Sequence, residues 1–285
     1  MRQEEQIRSD IVEVGRRLHS RAYVASNDGN ISVRLSEDCL LTTPKGVSKG
    51  FMSPDMIVMT DLSGRKIAGD RDPSSELLMH LAVYEDRQEI RAVVHAHPPT
   101  ATGFAVAGIP LDRAVLAEVV TTLGSIPIAD YGTPSTQELA DAVRQYIKLH
   151  DGLLLANHGA LTVGRELMEA HYKMETIEHF ARISLVARSL GREHLLSREE
   201  VVRLQGLRGA YGITSPAALC LDDDDSASVN DAEMACQVVQ TPQSSEGERL
   251  VPDNVPDVSV SDKSEIRLTY RELTALIEDA VKHLR

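Results

Sequence analysis

Over roughly the first 212 residues, apolar positions follow two spacings. Ile7, Ile11, Val14 and Leu18 recur every three or four residues, which predicts an N-terminal helix with one buried face. Short apolar runs follow: "ISVRL" (31–35), "CLLTT" (39–43), "MIVMT" (56–60) and "RAVVHAH" (91–97). Gly, Pro and Asp turns separate them, and they predict strands. Ser74, Ser75 and Glu76 come just after Pro73 and predict a helix start, because hydroxyls there can accept from free backbone N–H groups. "GLLLANHGALTVG" (152–164) reads as a buried strand, a turn and another strand. The segment from Arg165 to Leu190 lacks Gly and Pro and predicts a long helix ending at Gly191. This mixture predicts one α/β domain with helices covering a sheet.

The pattern changes after Tyr211-Gly212. "LDDDDSASVN" (221–230) and "TPQSSEGERLVPDNVPDVSVSD" (241–262) are acidic, contain Ser and Pro, and have few periodic apolar residues. Such a composition buries too little surface to offset the entropy of ordering, so residues 213–264 are expected to be a disordered linker. Periodicity returns at the end, where Leu273, Leu276, Ile277, Ala280, Val281 and Leu284 form one stripe. Thr269 and Glu272 have capping-box spacing. Residues 265–285 are therefore expected to form an amphipathic helix that needs a partner to cover its stripe.

Charge alters this picture because it is uneven. The 285-residue chain has a formal net charge of −13. Residues 215–268 carry 12 acidic and 3 basic side chains, a net of −9, which leaves −4 for the rest. No basic cluster suggests nucleic acid, and a phosphate pocket in the first 212 residues is compatible with the charge. No apolar run approaches the ~20 residues of a membrane span. The opening "MRQEEQIRSD" lacks the apolar core of a secretory signal. Cys39, Cys220 and Cys236 have no paired spacing, and a reducing cytoplasm fits them.

Candidate chemistry gathers at strand ends. His95 and His97 are two residues apart on a predicted strand, so both can face one metal ion; the alternative is a histidine pair that only caps the strand. His158 ends another buried strand, and three neutral imidazoles with an open position are a catalytic metal pattern; its plainer reading is a turn histidine beside Gly159. Glu76 suits a helix N-terminus electrostatically, or serves as a carboxylate beside a metal. Ser74 and Ser75 beside it would suit a phosphate. His80, one turn on, reads as a structural histidine. "SNDGNIS" contains Gly29 and Asn30, and "TTPKGVSKG" contains Thr43, Lys45 and Gly46. Both have the look of anion-binding loops, or of ordinary turns, and neither matches a P-loop.

In order, "GNIS" (29–32), "TPKG" (43–46), "SSE" (74–76), "HAH" (95–97) and "NHG" (157–159) resemble the class II aldolase/adducin family, particularly its fuculose-phosphate aldolase branch. The resemblance implies a three-layer α/β/α sandwich around a central, mainly antiparallel mixed sheet. It implies Zn2+, or another divalent ion such as Mn2+ or Co2+, on His95, His97 and His158, with Glu76 as acid/base able to approach the metal. It implies a phosphate held by Gly29, Asn30, Lys45, Gly46, Ser74 and Ser75, and Tyr211 closing over the site. The implied reaction is reversible aldol cleavage of a (deoxy)ketose 1-phosphate, such as L-fuculose or L-rhamnulose 1-phosphate, to dihydroxyacetone phosphate and lactaldehyde. The implied assembly is a homotetramer with active sites between subunits.

Two departures qualify the resemblance. Family aldolases supply a tyrosine from the segment after HxH, but residues 108–127 contain none; Asp112 and Glu118 are the candidates for a related role. Lys45 stands where Thr or Ser is common. The terminal helix lies outside the family's domain and resembles the encapsulation peptides of bacterial microcompartment cargo, which implies shell proteins as partners; docking on its own tetramer is the alternative. Three further functions share the fold: a pentulose-phosphate 4-epimerase, a sugar-acid phosphate decarboxylase, and a non-catalytic adducin-like binding protein.

Overall fold

Apolar runs with little polar alternation become strands here because helices cover both faces of the sheet. The structure, a computed structural model, describes residues 2–214. The strands are β1 (Asn30–Arg34), β2 (Cys39–Thr42), β3 (Val58–Asp61), β4 (Lys66–Ala68), β5 (Ala92–Ala96), β6 (Ile128–Ala129), β7 (Gly152–Leu155) and β8 (Gly159–Gly164). The helices are α1 (Arg2–Ser20), α2 (Leu77–Asp86), α3 (Pro99–Val106), α4 (Ala117–Thr122), α5 (Gln137–Ile147), α6 (Leu167–Ser189) and α7 (Arg198–Leu207). The strands lie in the order β4-β3-β2-β1-β5-β8-β7-β6. Every neighbouring pair is antiparallel except β6 with β7.

The period of two sorts each strand between two cores. On β5, Ala92, Val94 and Ala96 enter the first and Val93 the second; on β7, Leu154 enters the first, Leu153 and Leu155 the second. The first core includes Ile11, Val14 and Leu18 of α1, Phe104 of α3 and Ile177 of α6. The second includes Met79 and Val83 of α2 with Leu139 and Val143 of α5. The result is the three-layer α/β/α sandwich with a mainly antiparallel mixed sheet. Each fully buried Val, Leu or Ile contributes roughly 1.5–3 kcal/mol, so the sheet is a rigid base for whatever its strand ends carry.

One predicted boundary moves. The helix expected from Ser74 begins at Leu77, with Glu76 as its N-cap residue and no side-chain cap. The cause is pairing outside the helix: Lys45 N–H donates to the Asp72 carbonyl (2.9 Å) and Ser74 N–H to the Thr43 carbonyl (3.1 Å). Residues 72–74 are thereby held along the 43–45 turn, and the Ser74 hydroxyl accepts from Glu76 N–H at 3.3 Å instead of capping a longer helix. The expected C-terminal helix, and the expected linker from residue 215 on, lie outside the described residues. Among the described residues no helix is long and apolar enough to cross a membrane.

Candidate active site

β5 carries His95 within the sheet and His97 just past its end. Pro98 and Pro99 then stop the strand and start α3, with Pro99 at the first helical position, where a missing N–H costs nothing. His97 N–H donates to the Tyr23 carbonyl (2.8 Å), which fixes the exit of the strand. The third histidine arrives through the β7–β8 turn. Asn157 adopts φ 56°, a left-handed conformation that asparagine tolerates, and the reversal turns His158 toward the other two. Gly159 is required by crowding: a Cβ there would lie 2.6 Å from the Ala96 carbonyl oxygen and 2.6 Å from His97 Cδ2.

The three rings meet with centroids 4.7–5.1 Å apart, and one nitrogen from each lies within 4.8 Å of the others. His95 is fully buried, and its Nδ1 is 2.9 Å from the Ala160 carbonyl, which can only accept. Nδ1 therefore carries the proton, and Nε2 presents a lone pair to the cluster. That Nε2 is 3.1 Å from His97 Nε2. Two imidazole nitrogens facing each other in a buried cluster, with a third beside them, are a donor set that fits a divalent cation.

Glu76 reaches the cluster from the start of α2. Its Oε1 is 3.2 Å from His158 Nε2, and its Oε2 is 3.5 Å from His95 Nε2. Asn30 supplies the other contact. The β1–β5 register sets Asn30 opposite His95, and its Nδ2–H donates to Glu76 Oε2 at 2.8 Å. Burial pushes the His95 pKa well below the ordinary 6.5, and burial with the His158 neighbour lowers that of His97. Both are thus neutral and fit to ligate. For Glu76, burial acts upward, but the hydrogen bonds from His158 and Asn30 outweigh it and hold the carboxyl below the ordinary carboxylate range. Since burial keeps His95 and His97 neutral, the lasting support comes from N–H donors more than from imidazolium charge.

Beside this group lies a cleft of about 280 Å³, lined by Gly29, Asn30, Lys45, Gly46, Ser74 and Ser75 together with Glu76, His97 and His158. The sequence-nominated phosphate residues thus share one wall system. Gly29, at φ 68°, lets its turn lie close against β5: a Cβ would sit 2.8 Å from the His95 carbonyl oxygen. With the Lys45 N–H spent on Asp72, that residue offers the cleft its ammonium only. Asn27, Asp28 and Lys49 also line the cleft. Sequence reasoning passed over them, because a lysine between serine and glycine reads as solvent-facing.

Tyr211 is not brought to the cleft. It ends a 3-10 turn after α7 and is 66% exposed. α7 packs through Val201 on Val120 of α4, which carries the tyrosine to that side of the chain. Asp112 and Glu118 line other hollows; that of Glu118, about 1010 Å³, also includes Tyr23 and Thr100. His80 is a structural histidine, buried with its Nδ1 2.7 Å from the Ser32 hydroxyl.

The family profile described as "Class II Aldolase and Adducin N-terminal domain" matches residues 9–185. The chain belongs to this family. An L-fuculose phosphate aldolase of Methanococcus maripaludis is 34% identical over 182 residues, 64% of this chain and 98% of its own length. A 3-oxo-tetronate 4-phosphate decarboxylase of Pectobacterium atrosepticum is 30% identical over 187 residues, 64% of this chain and 85% of its own. A solved L-fuculose 1-phosphate aldolase superposes with a TM-score of 0.66 at 30% identity, covering 70% of this chain and 95% of that one. The fold is that of the class II aldolases, and the chain is an enzyme of this family.

Proposed function

We propose that the enzyme catalyses metal-dependent, reversible aldol cleavage of a (deoxy)ketose 1-phosphate, such as L-fuculose or L-rhamnulose 1-phosphate, to dihydroxyacetone phosphate and lactaldehyde. The observation that carries this reading is the cluster of His95, His97 and His158 with Glu76 at the mouth of a cleft rich in anion donors. His95, His97 and His158 would hold Zn2+, or Mn2+ or Co2+ in its place, and the bound ion supplies a Lewis acid for a carbonyl oxygen and the charge developing on it.

Gly29, Asn30, Lys45, Gly46, Ser74 and Ser75 would hold the phosphate and so place the ketose carbon chain along Glu76. Cleavage breaks the bond between C3 and C4: the C4 hydroxyl gives its proton to the ionised Glu76 carboxylate as C4 becomes the aldehyde carbonyl, and the electron pair of the broken bond stays at C3. Protonated Glu76 delivers its proton to C3, giving dihydroxyacetone phosphate; in the addition direction its carboxylate removes that proton. The Asn30 N–H to Glu76 Oε2 orients the carboxyl for this exchange. A homotetramer with sites between subunits would let Tyr211 serve a neighbouring cleft. Shell binding through residues 265–285 remains part of the proposal, and their deletion would abolish co-sedimentation with shells while sparing turnover.

The test is release of dihydroxyacetone phosphate from a panel of ketose 1-phosphates, with and without a chelator. Chelator-sensitive release supports the reading, and the preferred sugar names the substrate. Carbon dioxide release from a sugar-acid phosphate, with no aldol cleavage, would establish the second reading, which the decarboxylase relative favours.

A further inference from the structure

Lys49 is the cation in the cleft wall that neither the sequence motifs nor the reaction above employs. Its side chain is almost wholly buried, at 2% exposure, while Lys45 on the same loop is exposed. The Lys49 ammonium donates to the Asn27 carbonyl (2.8 Å) and to the Val47 carbonyl (2.7 Å). Asn27 belongs to the turn that carries Gly29 and Asn30, and Val47 directly follows Lys45 and Gly46. One ammonium therefore ties together the two turns that frame the cleft. Its backbone is fixed as well: a Cβ at Gly15 of α1 would lie 2.8 Å from the Lys49 carbonyl oxygen.

Two carbonyls leave one of the three ammonium donors without a protein acceptor, and no carboxylate among the described residues lies within ion-pair distance. A buried ammonium without a counter-ion is costly, and the two carbonyls that hold it satisfy its hydrogen bonds without neutralising its charge. We infer that Lys49 is a positioning residue for the anionic end of the substrate, locking the two turns in register and supplying the fixed positive charge that makes the cleft select a phosphate-class dianion. The inference rests on the phosphate reading of the cleft and adds the residue that sets its charge selectivity. Burial lowers the Lys49 pKa to about 8, against the upward pull of Asp28 and Glu76, so that charge is lost in mildly alkaline solution.

Sulfate is the probe, because it stays a dianion across this range. Its affinity would be measured by calorimetry on the metal-loaded, full-length protein, with inorganic phosphate as competitor. Wild-type affinity should fall about tenfold as the pH rises through 8. Lys49→Gln should bind sulfate weakly with no such fall. Lys45→Gln should bind more weakly than wild type yet keep it. Should Lys49→Gln fail to fold, Asp28→Asn decides: losing the carboxylate that supports the ammonium should move the fall to lower pH. A wild-type fall retained in Lys49→Gln, or an unmoved fall in Asp28→Asn, overturns the inference and leaves the cleft reading intact. Absence of sulfate and phosphate binding in the wild type would sink the cleft reading, and the inference with it.

Discussion

Asp151 and Glu76 are two carboxylates of this enzyme whose surroundings differ in kind. Asp151, fully buried at the start of β7, is closed on both sides by cations: Arg87 donates to Oδ1 at 2.5 Å and Lys173 to Oδ2 at 2.7 Å. Lys173 is itself satisfied further by Glu169 and the Val163 carbonyl. Glu76 has no lysine or arginine partner among the described residues; it faces histidines and one amide donor, and it borders an open cleft. A closed network holds elements together, here α2, β7 and α6. An open one has capacity left for a ligand.

The contrast breaks most sharply at Glu76. Glu76→Gln should lower turnover about 10³-fold or more while the urea midpoint stays close to that of the wild type. Near-normal turnover would remove Glu76 from the chemistry. Asp151→Asn should do the reverse. Leaving Arg87 and Lys173 without their partner should cost about 3–5 kcal/mol of unfolding free energy, with activity per folded molecule little changed. A comparable loss of activity in both variants would erase the distinction.

Acid should sharpen the comparison through His80, the histidine of α2 that is closed rather than open. Burial lowers its pKa from the ordinary 6.5 to about 4. Above pH 6.5 it is neutral in folded and unfolded chains alike. Between 6.5 and about 4 the unfolded chain takes up the proton and the folded one does not, so stability falls through that window. The contribution is on the order of 3 kcal/mol, and the pH dependence of urea unfolding in His80→Gln should be shallower by that amount. The mildest expected effect is at Gly159→Ala. Its Cβ must displace the Ala96 carbonyl or the His97 ring, and metal affinity measured by competition with a chelator should fall about 10–100-fold with the fold retained.

What the sequence disclosed followed from parity and punctuation. His95 and His97 share a face because a strand repeats every two residues, and the prolines after them mark where that face reaches the sheet's end. His158 was legible as the tip of a tight turn between buried runs. Glu76 was legible as a carboxylate at a helix start, and through the SSE motif as an acid/base near a metal, but its approach to the histidines depends on residues 72–74 pairing with 43–45 and on the β1–β5 register beside Asn30, which are contacts between distant segments. Those contacts also explain the helix start, which propensity placed three residues early. The two-residue β6 and the exposed β4 carry too little pattern to be read alone. Nothing in the sequence marks Lys49 and Asp151 as buried, since burial of a charge is decided by partners far away in the chain.

The start of α3 has one more consequence. Glu178 of α6 accepts from Thr100 N–H at 3.1 Å and from Ala101 N–H at 2.8 Å. That carboxylate occupies the positive pole of the helix that begins directly after His97. On the proposed reading, a phosphate near the histidines would meet a pole already neutralised and would find donors on the opposite flank, among the turns at residues 27–30 and 44–49. Under the proposed reading, the flank left unlocked among the described residues would set the orientation of the sugar.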